Sequence, residues 1–140
     1  MATSDEIIDQ ARTYKGVKWR HQGRNRSTGI DCVGLIAMVA KDLKISDYDF
    51  TSYQRRANGD EFLTHFRSNL PEVHVNDIEP GDVLVFADSK YQCHAGIMSY
   101  KHGRPHFIHS FAGTRKVVEQ ELCKKWLEKL THAFKFMSKY

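Results

Sequence analysis

Three residues of this chain could together carry out nucleophilic catalysis: Cys32, His94 and His109. Cys32 follows a polar loop and opens the apolar run CVGLIAMVAKDL, which has helical periodicity. The first turn of a helix presents unpaired N–H groups and the positive end of the dipole, and both favour a thiolate over a thiol. A cysteine in such a place is more often a small buried core residue, so its interpretation as a nucleophile depends on finding a base.

Two consecutive strand candidates, HAGIMSY and HFIHSF, carry the histidines that could supply this base. The segment between them, KHGRP, contains glycine and proline turn signals. With a loop over residues 101–104, Gly96 lies opposite His109, and His94 is a diagonal neighbour on the same face. A loop one residue longer would turn His109 to the other face. The shorter loop predicts a pair in which His109 orients His94, with space beside Gly96.

A helix and a sheet are needed to bring these residues together. Thr3 and Glu6 form a capping-box pattern, which predicts a first helix that ends at Gly16. Residues 17–30 are rich in Gly, Arg, Asn and Ser and are predicted to form a loop. Asp31 then occupies the N-cap position of a second helix, predicted from Cys32 to Lys44.

The second half of the chain has the character of strands. Residues 45–59 are predicted to be irregular and residues 60–68 to form a short helix. Strands are predicted for VLVFA, HAGIMSY, HFIHSF, KVVEQ and AFKFM, with a short helix in LCKKWLEKL. Helices followed by strands indicate an α+β fold, in which the helix of Cys32 packs on a C-terminal antiparallel sheet of about five strands.

Composition restricts the class of protein further. The 140 residues are 41% hydrophobic and 27% charged, as expected for a single globular domain over residues 1–140. The N-terminus, MATSDEIIDQ, does not resemble a secretory signal, and no apolar run is long enough for a membrane span. We therefore expect synthesis in the cytoplasm without a signal peptide.

The charged residues and cysteines make several other functions less probable. The net charge is +4, and the densest basic cluster is Arg20, Arg24 and Arg26. A solvated surface is the favoured interpretation of this cluster over contact with an anionic wall, and nucleic-acid binding is not expected. Three cysteines do not form a disulfide framework. Cys93 and His94 are only one pair of potential zinc ligands, so no metal and no cofactor are expected.

The motifs, in their order, resemble those of a known family. TGIDCVGLI, EPGDVLVF, HAGIM and FIHS together resemble the NlpC-type, papain-like cysteine peptidases that cut peptidoglycan, and most closely the small members associated with phage tails. The resemblance implies a nucleophile at Cys32, a general base and acid at His94, and an orienting residue at His109. It also implies that Trp19, His21, Asp31 and Val33 border the substrate, with Asp31 near its amine.

The resemblance predicts an endopeptidase that acts on peptidoglycan stem peptides. Trp19 replaces the tyrosine that is usual in the family, and Val33 replaces a frequent serine, so the sequence differs where specificity would be set. A phage tail would deliver the protein to the periplasm or cell wall, with tail proteins as partners. Two alternatives stay open: an amidase effector delivered by a secretion system and paired with an immunity protein, and a catalytically idle structural tail protein.

Overall fold

The structure is a computed structural model that describes residues 2–46, 49, 61–88 and 91–137. Three helices and short strands make up the first half, and strands dominate the second. The elements are α1 (Ser4–Arg12), β1 (Arg24–Asn25), β2 (Gly29–Ile30), α2 (Cys32–Asp42), α3 (Glu61–Asn69), β3 (Glu72–Val73), a 3-10 turn (Val75–Asp77), β4 (Val83–Ala87), β5 (Gln92–Lys101), β6 (Arg104–Phe111), β7 (Lys116–Glu121), α4 (Lys124–Leu127) and β8 (Leu130–Phe134).

A six-stranded antiparallel sheet forms the centre of the structure, with the strand order β3-β8-β4-β5-β6-β7. Strand β4 is hydrogen-bonded on both sides and carries the run VLVFA, in which four consecutive residues are buried. Such a run is typical of a strand that is covered on both faces. The predicted α+β fold, with N-terminal helices and a C-terminal antiparallel sheet, is confirmed.

The two faces of the sheet bury different groups. On one face, α1, α2 and α3 cover alternate strand residues such as Val85, Ile97 and Ile108. On the other, Leu84, Phe86 and the rest of a smaller cluster pack with Trp126 of α4. Alternation along each strand assigns its side chains to these two faces, and the faces hold different parts of the candidate site.

The helical predictions are largely confirmed. Thr3 and Glu6 make both hydrogen bonds of the capping box, and Asp31 caps α2. Helix α1 ends earlier than predicted, at Arg12, and a turn continues to Gly16, whose φ is +91°. Helix α2 ends at Asp42 rather than Lys44, and the prediction for residues 45–59 falls mostly outside the described residues.

Two short pairings were not predicted. The segment 17–30, expected to be a loop, contains the two-residue strands β1 and β2, and β3 adds a sixth strand to the main sheet. Two-residue strands are too short for a periodic pattern. The last strand covers Leu130–Phe134 rather than AFKFM. Directly after it, the N–H of Lys135 donates to the carbonyl of Pro71, and its ammonium group contacts Asp82.

Candidate active site

His94 and His109 form a hydrogen-bonded pair on neighbouring strands. The hairpin pairs Tyr100 with Pro105 and Ile97 with Ile108, which is the predicted register. The turn is tighter than predicted, because Lys101 and Arg104 already pair. His94 Nε2 lies 2.7 Å from His109 Nδ1, so the predicted contact between the two histidines is present.

Gly96 provides the space for this pair. A Cβ atom at Gly96 would lie 3.1 Å from the Cβ of His109 and 2.9 Å from Cδ2 of Phe107. A Cβ contact of 2.9 Å does not occur in real structures unless a neighbour moves. The glycine therefore leaves room for the side chains of Phe107 and His109 on β6.

Aromatic rings surround the histidine pair on the face away from α2. Trp126 contacts both imidazoles, with ring centroids 5.8 Å from His94 and 5.2 Å from His109. Phe111 lies 5.4 Å from each of them. His109 is fully buried, whereas part of His94 is exposed. The pair thus has an apolar support and an accessible end at His94.

These surroundings keep both imidazoles neutral. Desolvation holds the pKa of His94 well below its usual value, and the nearby His109 and Lys129 act in the same direction. Burial lowers the pKa of His109 to about 4, although its hydrogen bond to Gln120 partly offsets this effect. Neutral imidazole is the form that accepts a proton, so His94 is available as a base at neutral pH.

Gln120 on β7 extends the pair to three groups, and the sequence alone did not single it out. Its Oε1 lies 2.7 Å from His109 Nε2. The only signal in the sequence was its alternating position in KVVEQ, and that signal becomes meaningful only once the pairing of β6 with β7 is known. The hydrogen bonds therefore run from His94 through His109 to Gln120 across three adjacent strands.

Cys32 is the first residue of α2 and is 7% exposed. Burial raises the pKa of its thiol to about 12, and the charge of Asp31 acts in the same direction. The backbone N–H groups of Ala95 and Val33 stabilise the thiolate and partly offset these effects. The N–H groups at the helix start favour the thiolate, as expected, but desolvation outweighs them.

The thiol of Cys32 lies against the backbone of β5, next to the residue His94. Ala95, whose N–H faces the thiol, directly follows His94 in the chain. The structure describes both Cys32 and His94, and no hydrogen bond joins the thiol of Cys32 to the imidazole of His94. The structure therefore brings the nucleophile candidate to the peptide group next to the base candidate, and both groups are uncharged.

Asp31 holds the start of α2 in place. Its carboxylate accepts a 2.9 Å hydrogen bond from the N–H of Gly34, as a helix N-cap does, and a 2.7 Å bond from the N–H of Gln22. Arg24 forms a 3.0 Å ion pair with the same carboxylate. Asp31 is 3% exposed, so these protein groups surround it where the resemblance implied a contact with the substrate amine.

The other residues expected near a substrate lie around the start of α2. The backbone of Trp19 bridges to Ile30, two residues before Cys32, and His21 is half-buried in the same loop. Val33 is buried and lines an apolar cavity between α2 and α3 together with Ile36 and Phe66. Trp19 and His21 thus share one loop, whereas Val33 faces a different part of the molecule.

The basic cluster of the sequence is divided in the structure. Arg24 binds Asp31 and Asp49. Arg26 lies over the ring of Tyr14, 3.6 Å from its centroid, and binds Thr13. Arg20 is exposed. Arg24 and Arg26 therefore make contacts within the protein, and Arg20 and Arg26 are both exposed.

Metal and membrane sites can be assessed for the part of the chain that the structure describes. There, no three His, Cys, Asp or Glu side chains gather where they could hold a metal ion. Among the same residues, no helix has both the length and the apolar character needed to cross a bilayer.

The chain matches a known protein family over most of its length. A sequence profile of the NlpC/P60 family matches residues 16–135, which include Cys32, both histidines and Gln120. The chain belongs to the NlpC/P60 family. No curated protein sequence matches it significantly.

Solved NlpC/P60 structures share the fold. An NlpC/P60 family protein from Bacillus cereus superposes with a TM-score of 0.72 at 18% identity, over 97% of this chain and 41% of its own. A Staphylococcus aureus protein of the family, described as similar to a lipoprotein, gives 0.68 at 22%, over 96% of this chain and 41% of its own. The chain thus spans well under half the length of these two proteins.

A third solved structure and this chain match each other over nearly their whole lengths. The NlpC/p60 domain of the peptidoglycan hydrolase SagA gives a TM-score of 0.67 at 19% identity, with 95% of this chain and 98% of that one covered. At these identities, the likeness establishes the papain-like α+β fold, in agreement with the prediction.

Proposed function

We propose that this chain is a cell-wall hydrolase: a cysteine peptidase or amidase that cleaves an amide bond in peptidoglycan stem peptides. The observation that carries the proposal is the 2.7 Å His94–His109 contact, with the thiol of Cys32 at the N–H of Ala95, the residue after His94, in a chain of the NlpC/P60 family. A peptidoglycan hydrolase domain with the same fold supports this substrate class. Cys32 would be the nucleophile, His94 the base and His109 the orienting residue.

The first half of the reaction forms an acyl-enzyme. As Sγ of Cys32 attacks the carbonyl carbon, His94 accepts the thiol proton, so charge develops only when substrate is present. The raised pKa of Cys32 and the lowered pKa of His94 both favour this uncharged resting pair. The C–N bond then breaks, and His94 returns the proton to the leaving amine.

The second half releases the acid. Water attacks the thioester while His94 accepts one of its protons, and the proton returns to Sγ as the C–S bond breaks. Backbone N–H groups at the start of α2, including that of Cys32, would stabilise the oxyanion in both halves, since the first N–H groups of a helix lack partners within it. Asp31 already binds the N–H of Gly34, which leaves the N–H groups before it for this role.

The substrate would approach along the loop before α2. Trp19 would provide an aromatic wall with one N–H donor, and His21 a polar edge. Asp31 would act through its negative charge, since its hydrogen bonds are made within the protein. Val33 lines the separate apolar cavity between α2 and α3, so a contact with the substrate would need the substrate to reach that cavity.

Delivery to the wall is a separate part of the proposal. We assign the protein to a phage tail that assists wall penetration, on the strength of the family resemblance of its sequence. An effector that carries the same chemistry would differ by toxicity in the periplasm and by neutralisation through an immunity protein. Expression with a periplasmic leader, with and without neighbouring gene products, separates the two routes.

The chemistry is tested with purified protein and peptidoglycan sacculi, followed by mass analysis of the released fragments and of defined stem peptides. The natural protein should release fragments with new amine and carboxylate ends, and Cys32→Ala should release none. Cys123→Ala is the matched control, because Cys123 precedes α4 and makes no side-chain cap hydrogen bond. Equal release by Cys32→Ala, or none by the natural protein, would overturn the assignment and favour an idle structural role.

A further inference from the structure

Gln120 stands in a diagonal line of three hydrogen-bonding side chains. In β6 and β7, His109 pairs with Val118 and Phe107 pairs with Gln120, so Gln120 is the diagonal neighbour of His109 on the same face. His94 has the same diagonal relation to His109 from β5. Side chains in such diagonal positions lie within reach when they are long, and both contacts are 2.7 Å.

The amide oxygen of Gln120 determines which nitrogen of His109 carries the proton. A carbonyl oxygen only accepts hydrogen bonds, so His109 must donate to it from Nε2–H. The pKa of His109 is about 4, so this imidazole is neutral at neutral pH and its Nδ1 carries a lone pair. That lone pair faces His94 Nε2.

The same reasoning continues to His94. Because His109 Nδ1 is an acceptor, His94 Nε2 must carry the hydrogen. The pKa of His94 lies well below its usual value, so its other nitrogen, Nδ1, has a free lone pair. If His109 Nδ1 instead donated to His94 Nε2, the hydrogen of neutral His94 would lie on Nδ1. That nitrogen could then not accept the proton of a thiol.

We propose that Gln120 is a positioning residue that fixes the tautomers of both histidines, so that His94 presents the unprotonated Nδ1 to the nucleophile. The inference rests on the proposed function for its catalytic consequence, but not for its structural content. When His94 gains a proton, its Nε2–H still donates to His109, so the same chain of hydrogen bonds holds the charged ring in place. Gln120 touches neither substrate nor thiol in this role.

Two substitutions of Gln120 test whether the side chain acts by accepting a hydrogen bond or only by filling space. Gln120→Met keeps the length of the side chain but removes the carbonyl acceptor. Gln120→Glu keeps acceptor oxygens and cannot donate when ionised. Gln92→Met is the matched control, since Gln92 lies on β5 and binds Thr131 rather than a histidine.

The direct readout is 15N NMR of histidine-labelled protein, which distinguishes protonated from unprotonated ring nitrogens without any substrate. In the natural protein, in Gln120→Glu and in Gln92→Met, His94 Nδ1 should give the signal of an unprotonated nitrogen. In Gln120→Met, the signal should shift towards that of a mixture of tautomers. An unchanged tautomer in folded Gln120→Met, or a protonated Nδ1 in the natural protein, would overturn the proposal.

Turnover provides the second readout. In Gln120→Met, kcat should fall by about 10- to 100-fold with little change in KM, since base catalysis and not substrate binding is impaired. At neutral pH, Gln120→Glu should keep most of its kcat. As the pH is lowered, its kcat should begin to fall at a higher pH than that of the natural protein. The reason is that a carboxylate favours protonated His109, which cannot accept from His94.

The two hypotheses fail in different ways. If the natural protein cleaves no peptidoglycan but its His94 tautomer depends on Gln120, the proposed function is wrong and the positioning role of Gln120 stands. If cleavage occurs and Gln120→Met changes neither the tautomer nor kcat, the role of Gln120 is wrong and the proposed function stands. Thermal unfolding of each variant verifies that the protein is folded.

Discussion

The hydroxyl of Ser110 donates a 2.7 Å hydrogen bond to the carbonyl oxygen of Ile30, although the two residues lie 80 positions apart in the chain. Ser110 follows His109 on β6, and Ile30 ends β2 two residues before Cys32. Ser110 is 1% exposed and Ile30 is fully buried. This bond ties the segment that leads to the nucleophile candidate to the strand that carries the orienting histidine.

We expect Ser110→Ala to weaken both the fold and the activity. The substitution removes one of two donors to the buried carbonyl of Ile30, which keeps the N–H of Arg20, so we expect a loss of about 0.5–1.5 kcal/mol in the free energy of unfolding. Urea denaturation should show the loss, and kcat should fall because Cys32 is held less firmly. Ser27→Ala, in an exposed position of the same loop, is the control. Identical unfolding curves for the natural protein and Ser110→Ala would contradict the anchoring role.

Gly96→Ala should disturb the histidine pair directly. The added methyl group would lie 2.9 Å from Phe107 and 3.1 Å from the Cβ of His109, so at least one ring must move. Overpacking of this kind costs about 1–3 kcal/mol in a well-packed core. We expect a lower midpoint of urea denaturation and shifted NMR signals for the ring of His109. A variant with natural stability and unshifted signals would show that the space beside Gly96 is not needed.

The thiol of Cys32 should react slowly at neutral pH. Its pKa is raised to about 12, chiefly by burial, so the thiolate is a minor form until the solution is strongly alkaline. Alkylation by iodoacetamide, followed at Cys32 by peptide mass analysis, should still accelerate between pH 9 and pH 10. A rate that levels off below pH 7 would instead reveal a resting thiolate–imidazolium pair.

The pH dependence of kcat/KM should reflect the neutral imidazole of His94. Its pKa is held well below 6.5, so the base form persists as the pH falls through the usual histidine range. We expect the acid limb of the profile below pH 6.5. Trp126→Ala should move this limb to higher pH, because removal of the ring exposes His94 and His109 to water. An acid limb above pH 7 in the natural protein would contradict the desolvated site.

Glu119 should stabilise the fold in a pH-dependent way. Its buried carboxylate binds Arg12, Lys15 and Ser99, and its pKa is about 2, below the ordinary 4.5. A lowered pKa means that the stabilisation is complete above pH 4.5 and is lost as the pH falls towards 2.

Glu119→Gln should therefore be less stable than the natural protein at pH 6, and the difference in the free energy of unfolding should shrink on acidification. Urea denaturation between pH 6 and pH 3 measures this difference. Glu121→Gln is the control, because its partner Arg104 is largely exposed and such surface pairs contribute little. A difference that stays constant down to pH 3 would contradict the role of the charge.

The amino-acid sequence alone determined the local features and the pairing that depends on them. The capping box at Thr3, the N-cap at Asp31 and the buried run of β4 follow from short-range rules, and the structure contains all three. The turn signals in KHGRP predicted a hairpin of β5 and β6, and of the two loop lengths considered the shorter one gives the observed register, because a hairpin places its side chains with a period of two. That register was enough to predict the contact between His94 and His109.

Only the tertiary structure decided what surrounds these residues. Gln120 reaches His109 through the pairing of β6 with β7, which no local pattern specifies. The sequence favoured a solvated surface for Arg24, whereas in the structure Arg24 binds Asp31, because the loop before α2 folds back on the helix start. Burial raises the pKa of the Cys32 thiol. This burial comes from residues in distant parts of the chain, whereas the position of Cys32 at a helix N-terminus is a local feature that the sequence predicts.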